Sequence, residues 1–387
     1  MLELLLLLLP VAAASGWWAA RRSVSKQERT AAREWSPQYL KGLNFLLNEQ
    51  PDKAIDLLVK MVEVDSETVE THLALGNLFR RRGEVERAIR IHQNLIARPS
   101  LHGQQRAQAL LELGQDYMRA GLFDRAENLF SELAESRFYK RQALSNLLEI
   151  FQQEKDWQRC LETAERLKVA GERGLSSRIS HFHCELALQA LAESDPGVAL
   201  AQLKKAAARD RSNVRVTLIR ADIAMHAGDC KAVIKSCKRV EGQEPAYLPE
   251  VLPMLQKCYQ RLPQGESLLD YLQGLYSRHA GSELMLMLTD LIQNREGEQA
   301  AEAFVLKHLA AHPDLKGLDK LVTLNLRQTG AVGETLATLK QAVEQMLERQ
   351  AAYQCEQCGF SAKKLHWQCP SCMSWGSIKP AQNGGVA

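Results

Sequence analysis

The sequence predicts an all-α protein built mainly of stacked helical hairpins, with a membrane-spanning helix ahead of them and a small metal-binding knuckle behind. Three observations predict this. Helix breakers are sparse, with 23 glycines and 12 prolines in 387 residues, and only 6% of residues are aromatic, a balance that favours helices over a β-rich fold. Small and aromatic residues recur along the chain at steps near 34 positions. Four of the nine cysteines fall between Cys355 and Cys372. The 25% of charged and 45% of hydrophobic residues leave enough apolar surface for a core. A net charge of only +3 argues against a nucleic-acid binder, which wants a strongly basic face.

Residues 1–20 are read as the anchor. Leu2 to Ala20 carries one ionisable side chain, Glu3, and a helix of that length spans roughly 28 Å, close to the ~30 Å hydrocarbon core of a bilayer. A cleaved secretory signal is the rival, because Ala12-Ala13-Ala14-Ser15-Gly16 resembles a small-residue cleavage region. Such a signal needs basic residues before its apolar run, however, and none is present here. They follow it instead: Arg21, Arg22, Lys26, Arg29 and Arg33 lie in a juxtamembrane linker over 21–36. By the positive-inside rule they hold the C-terminal bulk on the cytoplasmic side, with Trp17 and Trp18 at the interface. A reducing cytoplasm makes paired cysteines metal ligands in preference to disulfides.

Residues 37–350 carry the repeat. In His72 to Ile89, Gly76, Phe79, Gly83 and Ala88 fall at fixed offsets. Gly42, Phe45, Ala54 and Leu58 repeat them, as do Gly114, Tyr117, Gly121, Ala126 and Phe130. Leu148, Phe151, Cys160 and Ala164 follow, then Ala187, Ala199, Leu203 and Ala206, then Ala221, Gly228 and Ala232. Weaker copies run near Tyr259 and from Ile292 to Ala301, and a last helical pair covers Leu318 to Gln350. This spacing is that of the tetratricopeptide repeat, in which two antiparallel helices approach closely at small residues. Stacked repeats form a superhelix with a concave groove suited to binding protein. The groove-facing positions are expected at Asn77, Arg80, Gln115, Met118, Glu149 and Gln152. Arg80-Arg81-Arg82 reads as a solvated helix end. Cys160, Cys184, Cys230, Cys237 and Cys258 lack metal spacing and read as ordinary thiols of the helical body.

The tail is the sharpest signal. Cys355-Glu-Gln-Cys358 and Cys369-Pro-Ser-Cys372 are two C-x2-C knuckles ten residues apart, and each can turn two sulfurs toward one ion to complete a tetrahedral cage. A segment as short as 353–380 cannot bury a sufficient core, so an ion must supply much of its folding free energy. Gly359 suits a left-handed knuckle position, and Tyr353, Phe360, Trp367 and Trp375 are expected to pack around the site. Iron and zinc both accept four thiolates, so the metal stays open. The knuckles resemble those of rubredoxin, which keeps a membrane-tethered redox protein as the alternative function, but a closed four-sulfur site favours a structural role.

No Walker A loop, nucleophile elbow, dinucleotide fingerprint or HExxH motif occurs, so the chain reads as a non-enzyme. His312-Pro313-Asp314 falls where a repeat helix ends, and His181 and His183 read as packing residues. Anchor, repeat body and four-cysteine tail in this order resemble the lipopolysaccharide assembly protein B (LapB) family of Gram-negative bacteria. The similarity lies most specifically in Gly42 to Ala54, Leu75 to Phe79, Gly83 to Gln93 and Cys355 to Pro380. The resemblance implies a single-pass inner-membrane adaptor that restrains lipopolysaccharide synthesis by promoting degradation of the deacetylase LpxC by the protease FtsH. It carries the family's metal ligands onto Cys355, Cys358, Cys369 and Cys372. It leaves homo-oligomerisation open.

Overall fold

The computed structural model describes residues 41, 44, 45, 50–64, 69–262, 268–328 and 333–381. The anchor expected over 1–20 and the basic linker over 21–36 lie outside the described residues. Among the described residues no helix is long and apolar enough to cross a membrane. The chain divides into two compact units at Gln153/Glu154.

The first unit contains α1 (Pro51–Val64), α2 (Val69–Arg82), α3 (Val85–Ile96), α4 (Gly103–Arg119), α5 (Phe123–Glu135) and α6 (Lys140–Glu154). Helices α2 with α3, and α4 with α5, form hairpins whose approach distance is set by glycine. A Cβ on Gly76 would come within 2.4 Å of the His92 ring, and one on Gly114 within 2.5 Å of the Phe130 ring. Ala88 and Ala126 supply the matching small faces at 0% exposure. Phe79, Phe130 and Leu95 fill the interiors, each burial contributing roughly 1.5–3 kcal/mol.

The second unit begins with α7 (Trp157–Val169), α8 (Ser176–Ala192), α9 (Pro196–Arg209), α10 (Val214–His226) and α11 (Cys230–Gln243). A short 3-10 turn at Pro245–Tyr247 leads into α12 (Leu248–Arg261), α13 (Leu268–Arg278), α14 (Ser282–Glu296), α15 (Glu298–Ala311), α16 (Leu315–Gln328) and α17 (Gly333–Arg349). One apolar core runs from Val214 to Leu324. A three-stranded antiparallel sheet follows, β1 (Tyr353–Cys355) lying between β2 (Ser361–Ala362) and β3 (Ile378–Pro380).

The hairpin turns repeat one device. A residue with positive φ ends the first helix at Gly83, Gly121, Lys155, Ser194 and Gly228. At Gly83 and Gly228 the glycine's own amide and the following one bond back to the helix end, as in Gly228 N–H to Met225 O (3.1 Å) and Asp229 N–H to Ala224 O (2.9 Å). In the second unit the residue after it is an aspartate that caps the following helix: Asp156 accepts from Arg159 N, Asp195 from Val198 N and Asp229 from Ala232 N. Lys155 and Ser194 hold the left-handed turn without glycine, which is why the fourth and fifth copies look degenerate in sequence. His312 ends α15, and Asp314 caps α16 through Gly317 N (2.6 Å) while accepting from His308 Nε2 (2.7 Å).

The two kinds of helical glycine separate experimentally. Gly114→Ala must displace the Phe130 ring and is expected to cost about 1–3 kcal/mol. Gly242→Ala in α11 meets nothing within 4 Å and is expected to be neutral or stabilising by up to about 1 kcal/mol. Urea unfolding of both variants checks the contrast.

Candidate metal centre and groove

The two knuckles are built alike. In the first, the Gly359 amide donates to Cys355 O (2.9 Å) and the Cys355 amide to Phe360 O (2.8 Å). In the second, the Met373 amide donates to Cys369 O (2.9 Å) and the Cys369 amide to Ser374 O (2.8 Å). The left-handed position is Gly359 (φ 76°) in one and Met373 (φ 59°) in the other, so the second loop holds a side chain where glycine is favoured.

This folding brings Cys355, Cys358, Cys369 and Cys372 together, with all four sulfurs within 4.8 Å of one another. Cys355 Sγ lies 3.8 Å from Cys372 Sγ, and Cys358 Sγ lies 3.6 Å from Cys369 Sγ. Metal–sulfur bonds of about 2.3 Å in a tetrahedron place sulfurs about 3.8 Å apart, so the cage fits a zinc- or iron-sized ion. Cys355 and Cys369 are buried, Cys372 is half-buried and Cys358 is exposed. Burial opposes ionisation of Cys355, but the Ser377 hydroxyl and the Cys358 and Gln357 amides outweigh it and bring the thiol down to about 6. The Ser374 hydroxyl and amide lower Cys372, whereas burial raises Cys369 to about 11. A bound cation stabilises the thiolate form of all four.

The aromatic residues of this ribbon divide between two tasks. Tyr353 and Phe360 pack on the buried cysteines. Trp367 and Trp375, expected around the metal, turn instead to the helical body, because the ribbon is too small to bury two indoles. Trp375 meets Trp157 and Phe182 edge-on, at 5.9 Å and 5.8 Å between centroids, and stacks on His181 at 5.1 Å. Trp367 stacks on Tyr247 at 5.4 Å. The Arg215 guanidinium lies 5.7 Å and 5.8 Å from the two indoles, and one of its nitrogens donates to Glu185 (2.7 Å). Tyr247 OH donates to Ile378 O (2.9 Å), and Tyr353 OH donates to Glu250 (2.6 Å). Gly376 leaves room for His181, whose Nε2 would sit 3.2 Å from a Cβ there. His181 is a packing residue, as its sequence context implied.

In the first unit a cavity of about 390 Å³ is lined by Arg80, Gln115, Met118, Arg119, Asn146, Glu149 and Gln153. Four of the six groove positions read from sequence are among these. Gln152 is buried and its amide donates to Leu148 O (3.0 Å), which leaves the neighbouring Gln153 to line the cavity. Asn77 is half-buried, off the lining, with its Oδ1 unpaired among the described residues. Arg80 is not a solvated end. It pairs with Glu112 (2.6 Å) and with the fully buried Asp116 (2.8 Å), whose other oxygen meets His92 Nδ1 at 2.5 Å. His92 and Asp116 escaped the sequence reading, since a buried contact formed across 24 positions leaves no local pattern.

The five remaining cysteines are all buried. Burial pushes the Cys160 and Cys184 thiols up to about 12, the state of inert core thiols.

A sequence family described as a rubredoxin metal binding domain matches residues 353–380, and tetratricopeptide repeat families match 71–103 and 184–242. Lipopolysaccharide assembly protein B of Escherichia coli K12 is 43% identical over 382 residues, covering 98% of this chain and 98% of that protein. The protein of the same name from Haemophilus influenzae Rd is 35% identical over 394 residues, covering 99% of each.

Docking of the ribbon is expected to depend on pH through His181. Burial, with Arg215 nearby, lowers it from 6.5 to about 3, so the docked state holds it neutral while the undocked state binds a proton. Docking is therefore at full strength above about pH 6.5 and weakens as pH falls toward 3. Limited proteolysis between α17 and β1 across this range reads the loosening, and His181→Phe is expected to abolish its dependence on this group. An unchanged slope in that variant would assign the effect to other groups at the contact, the thiolates or the Glu244 and Glu250 carboxylates that meet the ribbon.

Proposed function

The chain belongs to the lipopolysaccharide assembly protein B family, and on that premise we propose that it is a non-enzymatic adaptor at the inner membrane. It limits lipopolysaccharide synthesis by presenting the deacetylase LpxC to the protease FtsH. Residues 1–20 tether it, the helical body on the cytoplasmic side recognises protein partners, and Cys355, Cys358, Cys369 and Cys372 hold one iron or zinc ion. Co-localisation with a membrane protease raises the effective concentration of the pair without adding a contact.

The observation that carries this reading is the seating of Trp367 and Trp375 on the helical body. A small domain whose folding needs an ion is held against helices of a protein-binding repeat, so the metal's role is to shape a surface. Electron transfer asks for no such coupling. Zinc-loaded protein is accordingly expected to retain full activity.

Depleting the protein is expected to raise LpxC severalfold by lengthening its lifetime, as read by pulse-chase; unchanged turnover would refute the adaptor role. Cys355→Ser combined with Cys358→Ser is expected to unfold the ribbon and fail to complement depletion, while circular dichroism still reports a helical body. Full complementation would show the ion to be dispensable.

A further inference from the structure

We propose that the outer face of α9 and α11 is a docking surface for an anionic phospholipid bilayer. This rests on the reading that the protein is tethered at the inner membrane, and it concerns how the second unit meets that membrane. Charge is unevenly spread along the chain. Residues 196–240 hold ten lysines and arginines against three aspartates, a surplus of seven, whereas the whole chain carries only +3. The remainder is therefore net acidic. Helices α9 and α11 are the second members of consecutive hairpins, which stacking places on the same side. Arg220, on α10, links the two: it donates to Leu203 O of α9 (3.1 Å), and burial and then the nearby Arg239 charge of α11 lower its pKa. In α9, Leu203 and Ala206 are buried while Lys204 and Lys205 are exposed. In α11, Val233, Cys237 and Val240 are buried while Lys231, Lys235 and Arg239, one turn apart, are exposed. None of these five cations has an ion-pair partner among the described residues, unlike Arg209 with Glu165 and Arg215 with Glu185. Leu200, one turn ahead of Lys204, is 46% exposed, and Val198, two turns ahead of Lys205, is 48% exposed.

The composition of this face selects the partner. Protein interfaces concentrate aromatic residues and arginine and are depleted in lysine, and single-stranded nucleic acid is gripped by aromatic stacking. Residues 196–240 contain no Phe, Trp or Tyr, and four of the five unpaired cations are lysines. A lysine ammonium is a point charge on a flexible stem, which suits mobile phosphate headgroups that offer no fixed bidentate partner. Cations close to an anionic bilayer each add attraction within a Debye length of it. Val198 and Leu200 supply the apolar side chains that interfacial helices bury at the headgroup boundary.

The test inserts full-length protein into phosphatidylcholine vesicles, with or without about 30 mol % phosphatidylglycerol, and acetylates exposed amines with a water-soluble reagent read by mass spectrometry. In low salt, modification of Lys204, Lys205, Lys231 and Lys235 is expected to fall at least about threefold when phosphatidylglycerol is present, and about 0.5 M salt should erase the difference. Lys363 and Lys364 are exposed on the ribbon, which sits against the first helices α8 and α10, and are expected to be unaffected. Replacing Lys231, Lys235 and Arg239 together by Gln is expected to release Lys204 and Lys205. Leu200→Glu should do the same with every cation retained, and circular dichroism checks that both variants stay helical. Equal modification in the two vesicles overturns the assignment, as does equal slowing of all exposed lysines. Equal protection in phosphatidylcholine by millimolar inorganic phosphate would also overturn it, showing a free-anion site, and protection by RNA or polyglutamate would do so by showing an acidic macromolecule as the ligand. Flotation with phosphatidylcholine vesicles alone reports the tether, so the tether and this surface can fail separately.

Discussion

Trp375 sits in a slot made by Trp157, Phe182 and His181, and the functional architecture of the second unit depends on that burial. An indole presented by a ribbon with almost no core of its own can be held in place only if the ribbon is already folded, and the ribbon folds around four sulfurs. Knuckle geometry, docking and any metal the four sulfurs would hold are therefore links of one chain. An ion held there would supply folding free energy that also keeps two tryptophans against helices. The slot has a cost, since it keeps His181 neutral and leaves two Arg215 nitrogens without hydrogen bonds. Cation–π contact with both indoles offsets part of that.

The first unit solves a different problem. Its hairpins come close because Gly76 and Gly114 offer no Cβ, and His92 and Phe130 take the vacated space. Placing a histidine there drags polar atoms into the interior: Nδ1 meets Asp116, which is in turn paired with Arg80, while Nε2 has no hydrogen-bond partner among the described residues. The result is a rigid polar wall beside an amide-lined cavity. An apolar ring at the corresponding place in the next hairpin, Phe130, needs no such partners.

Much of this was legible in the chain, and for reasons that differ by region. The knuckles were legible because two cysteines separated by two residues are a local geometric requirement. The hairpins were legible where glycine marks the turn, as at Gly83, Gly121 and Gly228, and obscure where Lys155 and Ser194 adopt the same left-handed conformation. Helical periodicity placed Arg80, Gln115, Met118 and Glu149 along one cavity but misplaced Gln152 by one residue. A single position is a rotation of about 100° about the helix axis, the difference between core and groove.

The sequence by itself determined the helical repeat, its family and the four candidate ligands, because each rests on spacing along the chain or on residues a few positions apart. Only the tertiary structure decided that Trp367 and Trp375 serve the helical body and not the metal, that Arg80 is neutralised from beneath, and that His92 needs Gly76. These depend on which surfaces meet across tens to hundreds of residues, where burial and charge pairing are settled by packing and leave no periodic trace.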